Sequence, residues 1–453
     1  MMFCSGKHEI TAQSFYAVFS RRNVIMKKGS PTIKRKKLRN KDVLEKWAGP
    51  SNAKAFTRER SNLRIIEEHQ IPSAAIPECK HGPCLLFSNE DGSNKWFSCS
   101  VFRSKKRCPF AVTVDRNGAL QPYKSERNIA SLPIEEYGKV SKKYENLASS
   151  GTVPFWWCKC CANYFGTEEH VHKLDGPYYE WKKPFQLLEP LRDDAGEAQY
   201  FFSSETTDLL RNVIEAEHFD SILCIGVPTL FEQLRQSNIR AFLLDYDDRL
   251  ASFYAPSEFA RFSMLVCHFY VAISRSYLCE FLRGSQKLLC LCDPPFGVHV
   301  SALMRTLTTL RKMFCSVSAK KRLSVFNVTL FLPYFVGKHL KEHSLTMVDF
   351  MVTYSNHRHF SRPQKSVVRM FTDLANYSFA LPTEKGYHFC EPCNRFVAEK
   401  NKHCWKCDDC TSKDGTPYSH CDVCERCVRQ TYRHCRKCSA CHLKGRCFGM
   451  KMV

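Results

Sequence analysis

From Gln199 to about Pro382, short apolar runs alternate with amphipathic stretches. Ser221–Gly226 (SILCIG), Ala241–Asp245 (AFLLD) and Lys287–Asp293 (KLLCLCD) are too continuously apolar for half-exposed strands and read as parallel strands buried on both faces. Thr229–Gln236, Glu258–Leu282, Val300–Phe314 and Gly337–His343 read as helices, and Val325–Leu332, Met347–Tyr354 and Val367–Thr372 as further strands. Strands alternating with helices predict an α/β fold with a doubly wound sheet. The most apolar stretch, Val328–Val336, is interrupted by Pro333 and falls far short of the ~20 residues that cross a bilayer. A transmembrane protein is therefore not expected. Nor is secretion, since the opening MMFCSGKHEI lacks a charged region followed by an apolar one.

Outside that stretch the pattern changes. Residues 21–46 carry eleven Lys/Arg against two acids and read as a basic, disordered tail or a nuclear-targeting or RNA-grazing arm, densest at Lys34–Lys37. After Gly386 the chain is too poor in apolar residues for any core but metal. The 453 residues include 26 Cys, of which twelve lie between Cys390 and Cys447, mostly as C-x-x-C pairs accompanied by His. In an intracellular setting such thiols stay reduced and point to metal. Lys and Arg outnumber Asp and Glu by 67 to 45, a formal charge of +22. Five Cys3His sites, each net −1 around Zn²⁺, would lower this to roughly +17, still basic enough to suggest a polyanionic partner such as nucleic acid.

In the C-terminal array a His is followed three times by a Cys seven positions on: His403 to Cys410, His420 to Cys427 and His434 to Cys441. That regularity predicts interleaved zinc sites, since structural zinc takes four such ligands. They are Cys390, Cys393, His403 and Cys410; Cys404, Cys407, His420 and Cys427; Cys421, Cys424, His434 and Cys441; and Cys435, Cys438, His442 and Cys447. Of the His residues from His388 onward, only His388 is left over.

Two further candidates precede the α/β stretch. Cys79, His81, Cys99 and Cys108 are spaced as a turn pair plus two ligands returning from a hairpin. Cys158, Cys161, His170 and His172 suit a two-Cys-two-His site, with Cys160 as an alternative ligand. The run KHGPCLLF…KWFSCS…KKRCPF resembles the GRF-type zinc finger, a small single-stranded nucleic-acid binder. Lys95, Arg103, Lys105, Lys106 and Arg107 around Trp96 suit such a strand, whose bases stack and whose phosphates need neutralising.

The candidate chemistry lies at Asp293-Pro294-Pro295-Phe296, at the end of an apolar strand where open α/β sheets bind ligands. The exocyclic amine of a purine is a poor nucleophile because its lone pair is delocalised into the ring. A carboxylate (Asp293) and a carbonyl (Pro294) that grip its hydrogens restore that lone pair, and Phe296 can stack on the base. The tetrapeptide resembles the amino-methyltransferase motif [DNS]-P-P-[YFW]. With the finger ahead, the array behind, QYFF at 199–202, LPTEKGYHFCEPC at 381–393 and CTSKDG at 410–415, the chain resembles the CCHC-type zinc-finger rRNA N6-adenosine methyltransferases.

That resemblance implies a Rossmann-like class I methyltransferase domain flanked by small zinc-stabilised modules. The modules would run as a tail at 1–75, a GRF-type finger at 76–118, a two-Cys-two-His finger at 150–180, the methyltransferase domain at 195–385 and the array at 386–449. It implies S-adenosylmethionine as donor, about six zinc ions, an accessible single-stranded adenosine in large-subunit rRNA as acceptor, pre-ribosomal protein partners and no membrane. The nucleus or nucleolus, with a cytoplasmic pool, is the implied location. Gln199, Tyr200, Phe201 and Phe202 would line the cofactor together with Asp293. Gly226 would approach its methionine part, and Asp245, with Tyr246 and Asp247 beside it, would meet its ribose. The first loop departs from the usual Gly-rich series, having only Gly226 in Cys224–Pro228. A protein Lys or Gln methyltransferase and a non-catalytic RNA-binding assembly factor are the competing readings. The basic charge argues against the first and the intact Asp293–Phe296 motif against the second.

Overall fold

The computed structural model describes residues 63–65, 76–89, 91–102, 105–124, 132–150, 153–180, 182–191, 198–318 and 324–447. Residues 1–54 and 55–453 separate into two units, and every described residue belongs to the second. The basic segment 21–46 and Arg103 lie outside the described residues.

Along the chain, β1 (Leu63–Ile65), β2 (Glu78–Cys79), β3 (Gly82–Asn89), β4 (Lys95–Cys99) and β5 (Ala111–Val114) form a small antiparallel sheet. A second small sheet joins β6 (Phe155–Cys158), β7 (Asn163–Phe165) and β8 (Leu174–Tyr178). The central sheet has eight strands: β9 (Ser221–Ile225), β10 (Ala241–Asp245), β11 (Phe259–Ser263), β12 (His268–Phe269), β13 (Lys287–Cys292), β14 (Val325–Pro333), β15 (Thr346–Val348) and β16 (Val368–Thr372). Three hairpins follow, β17 (Tyr387–Cys390) with β18 (Arg395–Ala398), β19 (Tyr418–Cys421) with β20 (Arg426–Arg429), and β21 (Arg433–Cys435) with β22 (Ala440–His442).

The order β12-β11-β10-β9-β13-β14-β16-β15 starts the chain in the middle of the central sheet. β9, β10, β11, β13 and β14 run parallel, whereas β16 is antiparallel to both its neighbours and β12 to β11. This is a Rossmann-like arrangement. The chain winds outward from β9 to β11 and then crosses back to β13, so β9 and β13 lead in opposite directions and open a crevice at their C-terminal ends. Helices Ser204–Ala216, Pro228–Gln236, Ser274–Arg283 and Val300–Val317 cover the sheet. That cover is why every residue of β9, and all of β13 after Lys287, is buried. Ser203 caps the first of these helices, its Oγ accepting the Thr206 N–H at 3.4 Å.

Two expectations are corrected. The stretch read as one helix, Glu258–Leu282, is β11, β12 and a helix that starts only at Ser274. Phe259–Ser263 is a short apolar run buried on both faces, a pattern a helix and a strand share; parallel pairing of Phe259 with Leu243 decides it. Cys267, at φ +50°, turns the chain between the two strands. The strand expected over Met347–Tyr354 ends at Val348, because the chain then leaves the sheet to engage the first C-terminal hairpin.

The β1–β5 sheet docks on the central-sheet domain through an apolar patch. Leu85 and Phe87 of β3 pack on Ala302, with Trp96, Leu265 and Val266 at the edge. The Tyr270 hydroxyl donates to the His81 carbonyl at 2.6 Å. No helix among the described residues is long and apolar enough to cross a membrane. Phe87→Ala should cost about 3 kcal/mol of packing at this junction. Hydrogen exchange should then quicken across β3 and β4 while β9 and β13 keep their protection.

Candidate active site and metal centres

Asp293 follows β13 directly, and its N–H donates to the Ile225 carbonyl at 3.1 Å, tying the acceptor motif to the end of β9. The Pro295 carbonyl accepts the Val298 N–H at 2.8 Å, so the two prolines turn sharply back over the sheet. Burial pushes the Asp293 carboxyl well above the usual carboxylate range, against the pull of a hydrogen bond from Tyr354. That bond, from the Tyr354 hydroxyl to Asp293 Oδ1, is 3.1 Å long. Tyr354 itself is fully buried.

Phe296 sits in an aromatic enclosure. Its ring is nearly parallel to that of Tyr200, with centroids 6.3 Å apart and 12° between planes, and Phe360 lies 5.8 Å away. His357 stacks flat on Phe360 at 4.1 Å and tilts against Tyr200 at 4.6 Å. Its Nδ1 accepts the N–H groups of His359 (3.1 Å) and Phe360 (2.9 Å), which leaves the proton on Nε2. Burial lowers its pKa to about 4, so the ring is neutral near pH 7. Sequence reasoning missed Tyr354, His357 and Phe360. Their one signal was the density of aromatic and His residues in TYSNHRHF after an apolar run.

On the other side of the crevice, Gly226 has φ +67°, and a Cβ there would come within 3.0 Å of the Asp293 carbonyl oxygen and 3.1 Å of Met264 Cε. Any side chain there would be strained by φ and crowded by Asp293, so glycine lets the ends of β9 and β13 approach closely. Asp245 ends β10 with Oδ1 accepting the Asp247 N–H at 2.9 Å. Burial, reinforced by the charge of Asp247, raises its pKa to about 7.

Asp247 is gripped by Arg249 at 2.8 and 2.7 Å and by Gln199 Nε2 at 3.0 Å. Gln199 Oε1 in turn accepts the Leu191 N–H at 3.1 Å. Gln199 and Asp247 therefore hold one another and fix the segment before the Ser204 helix to the end of β10. Of the other residues in QYFF, Tyr200 faces Phe296, while Phe202 is buried 4.5 Å from the Phe331 ring. The Phe201 N–H and carbonyl pair with Asn356 Oδ1 (2.8 Å) and the Ser355 N–H (2.7 Å). The Tyr246 carbonyl accepts from Arg261 Nε at 3.4 Å. Gly226 and Asp245 thus stand at the ends of neighbouring strands beside the sheet's switch point, where open α/β sheets bind ligands, whereas Tyr200 and Phe202 face elsewhere.

The Cys and His residues gather into tetrads. In five sets one ligand atom from each residue lies within 4.8 Å of the others: Cys79/His81/Cys99/Cys108, Cys158/Cys161/His170/His172, Cys390/Cys393/His403/Cys410, Cys404/Cys407/His420/Cys427 and Cys421/Cys424/His434/Cys441. In the last region of the array, Cys435 Sγ lies 3.6 Å from Cys447 Sγ. Cys161 Sγ is 3.3 Å from both His170 Nε2 and His172 Nδ1, whereas Cys160 is exposed and outside the set. Within the array, Sγ–Nδ1 separations of 3.2 and 3.3 Å (Cys393–His403, Cys407–His420) and an Sγ–Sγ separation of 3.6 Å (Cys424–Cys441) suit tetrahedral zinc, whose ligands stand roughly 3.3–3.8 Å apart.

A shared backbone device supports this fit. In the C-x-x-C pair that opens each of five ligand sets, the residue after the second Cys has positive φ: Ala162 (48°), Asn394 (45°), Asp408 (49°), Glu425 (50°) and Ser439 (49°). None is glycine, so five unfavourable left-handed residues stand at one position of one motif. Such conformations persist only where their surroundings over-determine them, as four ligands on one ion do. These modules can hold zinc.

Of the residues expected to meet RNA, Lys105, Lys106 and Arg107 are exposed beside Cys108, and Lys95 is half-buried. Trp96 is half-buried and stacks on Phe87 of the adjacent strand, with ring centroids 6.1 Å apart.

Residues 193–378 match the family described as "Probable N6-adenine methyltransferase". The chain is 30% identical over 376 residues to the rRNA N(6)-adenosine-methyltransferase ZCCHC4 of Homo sapiens, covering 76% of this chain and 73% of that protein. Against the protein of the same name from Mus musculus it is 32% identical over 394 residues, 80% of this chain and 76% of the relative. Against that of Xenopus tropicalis it is 31% identical over 370 residues, 76% of each. The chain belongs to the ZCCHC4 family. Its methyltransferase domain implies S-adenosylmethionine as cofactor. Gly226→Ala in this family member should weaken S-adenosylmethionine binding at least about tenfold, because both φ and the Asp293 carbonyl oppose a Cβ. Titration calorimetry reads the affinity, and an unchanged circular dichroism spectrum shows that the sheet is intact.

Proposed function

We propose that the chain transfers a methyl group from S-adenosylmethionine to N6 of an adenosine in ribosomal RNA, specifically in the large subunit. The observation that carries this reading is the buried Asp293 carboxyl, oriented by Tyr354 and joined through its backbone to the β9 end beside Gly226. Acceptor and donor groups meet there across one strand-to-strand boundary.

The cofactor supplies an electrophilic methyl. The chain's own residues make the amine able to attack it. With Oδ1 occupied by Tyr354, Asp293 Oδ2 accepts one N6 hydrogen and the Pro294 carbonyl the other, drawing the nitrogen out of conjugation. Phe296 stacks on one face of the base, and the near-parallel Tyr200 ring stands ready for the other. Tyr200 thus belongs to the acceptor side in this reading, while Gln199 and Asp247 shape the donor side. Asp245 meets the ribose hydroxyls, with Tyr246 beside it, and Phe201 and Phe202 back the pocket wall. The proton released from the methylated amine leaves by way of Asp293 Oδ2, its hydrogen-bond partner, to solvent.

The same reading takes the module boundaries expected from the sequence, six zinc ions, and an RNA path along Lys95, Arg103, Lys105, Lys106 and Arg107. Trp96 is the ring beside that path on which a base stacks. Pre-ribosomal proteins are the proposed partners, and the nucleus or nucleolus, with a cytoplasmic pool, is the proposed location.

Label from S-adenosylmethionine should enter unmodified large-subunit rRNA as N6-methyladenosine, and Asp293→Ala should abolish it while RNA affinity stays within about twofold. Label in protein instead would turn the reading to a Lys or Gln methyltransferase. No label despite cofactor and RNA binding would turn it to an assembly factor. Charge reversal at Lys105 and Lys106 should weaken RNA binding and flatten its salt dependence by about two phosphate contacts; an unchanged slope would take the finger off the RNA path.

A further inference from the structure

The segment from Asp349 to Asn356 carries the groups that organise the acceptor pocket. Tyr354 bonds Asp293, and Asn356 bonds both the Gln199 carbonyl at 3.0 Å and the Phe201 N–H at 2.8 Å. Yet the segment lies outside the strands of the sheet. Its ties to β16 and the residues before it are sparse, the Val352 N–H to the Val368 carbonyl at 3.3 Å and Ser366 Oγ to the Val352 carbonyl, while its middle is pinned at Thr353, whose N–H donates to Thr206 Oγ1 at 3.1 Å and whose carbonyl accepts the Ser203 N–H at 2.9 Å.

The beginning of the segment is held instead by the first C-terminal Cys/His module. Asp349, 2% exposed, accepts the Ala398 N–H at 2.9 Å and Asn401 Nδ2 at 2.8 Å on one carboxylate oxygen. Two residues on, the Met351 N–H donates to the Tyr387 hydroxyl at 3.1 Å, and the Phe350 and Tyr387 rings stack at 5.9 Å. Gly415 closes over the same spot, since a Cβ there would overlap Met351 Cε.

Asn401 is the link between this contact and the module's ligands. Its amide nitrogen also reaches the carbonyls of Ser412 (3.1 Å) and Cys410 (3.4 Å), and its oxygen accepts the Ser412 N–H at 2.9 Å. Cys410 is one of the four residues of the first array tetrad. Closing that tetrad and seating Asp349 are therefore done by one buried amide. A buried carboxylate deprived of a donor must move or gain a proton, so this contact has little tolerance.

We propose that the first C-terminal Cys/His module is a positioning part of the acceptor site. Through Asn401 and Tyr387 it sets the path of residues 349–356 and thereby the Tyr354 hydroxyl on Asp293. The module's role is then more than holding RNA or stabilising the fold, and neither Asn401 nor Tyr387 touches substrate. The kinetic part of this inference rests on the acceptor reading above.

The test uses the full, metal-loaded chain with Asn401→Ala and, separately, Tyr387→Phe. The expected result is unchanged bound zinc per chain, with hydrogen exchange of the 350–356 amides about tenfold faster. Turnover should fall about tenfold at constant KM for S-adenosylmethionine. The double variant should lose less than the product of the two single losses, because both act on one segment. If Asn401→Ala sheds metal, Tyr387→Phe, which removes one hydroxyl from a residue outside the tetrad, carries the test. Unchanged exchange over 350–356 in both variants overturns the proposal, and so does slower turnover with that exchange unchanged. Should the unaltered chain place no methyl on RNA, the acceptor reading has failed, and the exchange measurement alone decides the clamp.

Discussion

A carboxyl group at the end of a strand as apolar as KLLCLC has to be given a donor, or it stays neutral and has no fixed orientation. At Asp293 that donor is the Tyr354 hydroxyl, 3.1 Å from Oδ1, and much of the catalytic domain can be traced outward from the bond. Tyr354 sits within a segment outside the sheet, so the segment needs anchors at both ends. One is the QYFF stretch, through Asn356. The other is the first C-terminal hairpin, through Asp349, and between them Thr353 is pinned to Ser203 and Thr206 at the start of the Ser204 helix. The same Asp293 meets the end of β9 through its N–H, and its carbonyl is what makes Gly226 obligatory. A shift in any one of these elements reaches the carboxylate through covalent or hydrogen-bonded neighbours.

The C-terminal modules obey a different rule from the sheet. The sheet is held by apolar burial, with Leu223, Phe242, Leu288 and Leu330 each fully covered. Among the described residues from β17 to β22, the only buried apolar side chains besides ligand cysteines are Tyr387, Val397 and Ala398, all of the first hairpin, which meets the catalytic domain there. Elsewhere the array has four-residue ligand sets in place of a core. The left-handed residues after the C-x-x-C pairs are then intelligible: each turn is shaped by where two sulfurs must point, and backbone preference yields. Metal in these modules would contribute folding energy directly, and in the first of them that energy would also act on the acceptor pocket.

What could be read from the chain follows the same division. Parallel strands covered on both faces leave unbroken apolar runs, so β9, β10 and β13 were visible to within a residue. Cys and His spacing was equally plain, because chelation imposes fixed ligand distances on a short chain. The run Phe259–Ser263 failed for the reason the others succeeded: a short run buried on both faces looks alike as helix or strand until its neighbour is known. Tyr354 and His357 were invisible because their roles are set by residues about sixty and one hundred and fifty positions away, Asp293 and Tyr200.

The acceptor motif alone does not choose a substrate, since a carboxylate and a carbonyl would grip any planar amine. Selection has to come from what surrounds it. An adenine reaches such a buried pocket only after leaving its stack, at a cost of a few kcal/mol. Stacking on an aromatic ring returns ~1–3 kcal/mol per base. Phe296 and the near-parallel Tyr200 ring, with centroids 6.3 Å apart, stand only slightly closer than the ~7 Å that a base sandwiched between two rings requires. A small outward movement of Tyr200, whose neighbours His357 and Gln199 hold it from two sides, would admit a planar base and exclude a flexible lysine from the same gain. Much of the unstacking cost would then be recovered inside the pocket.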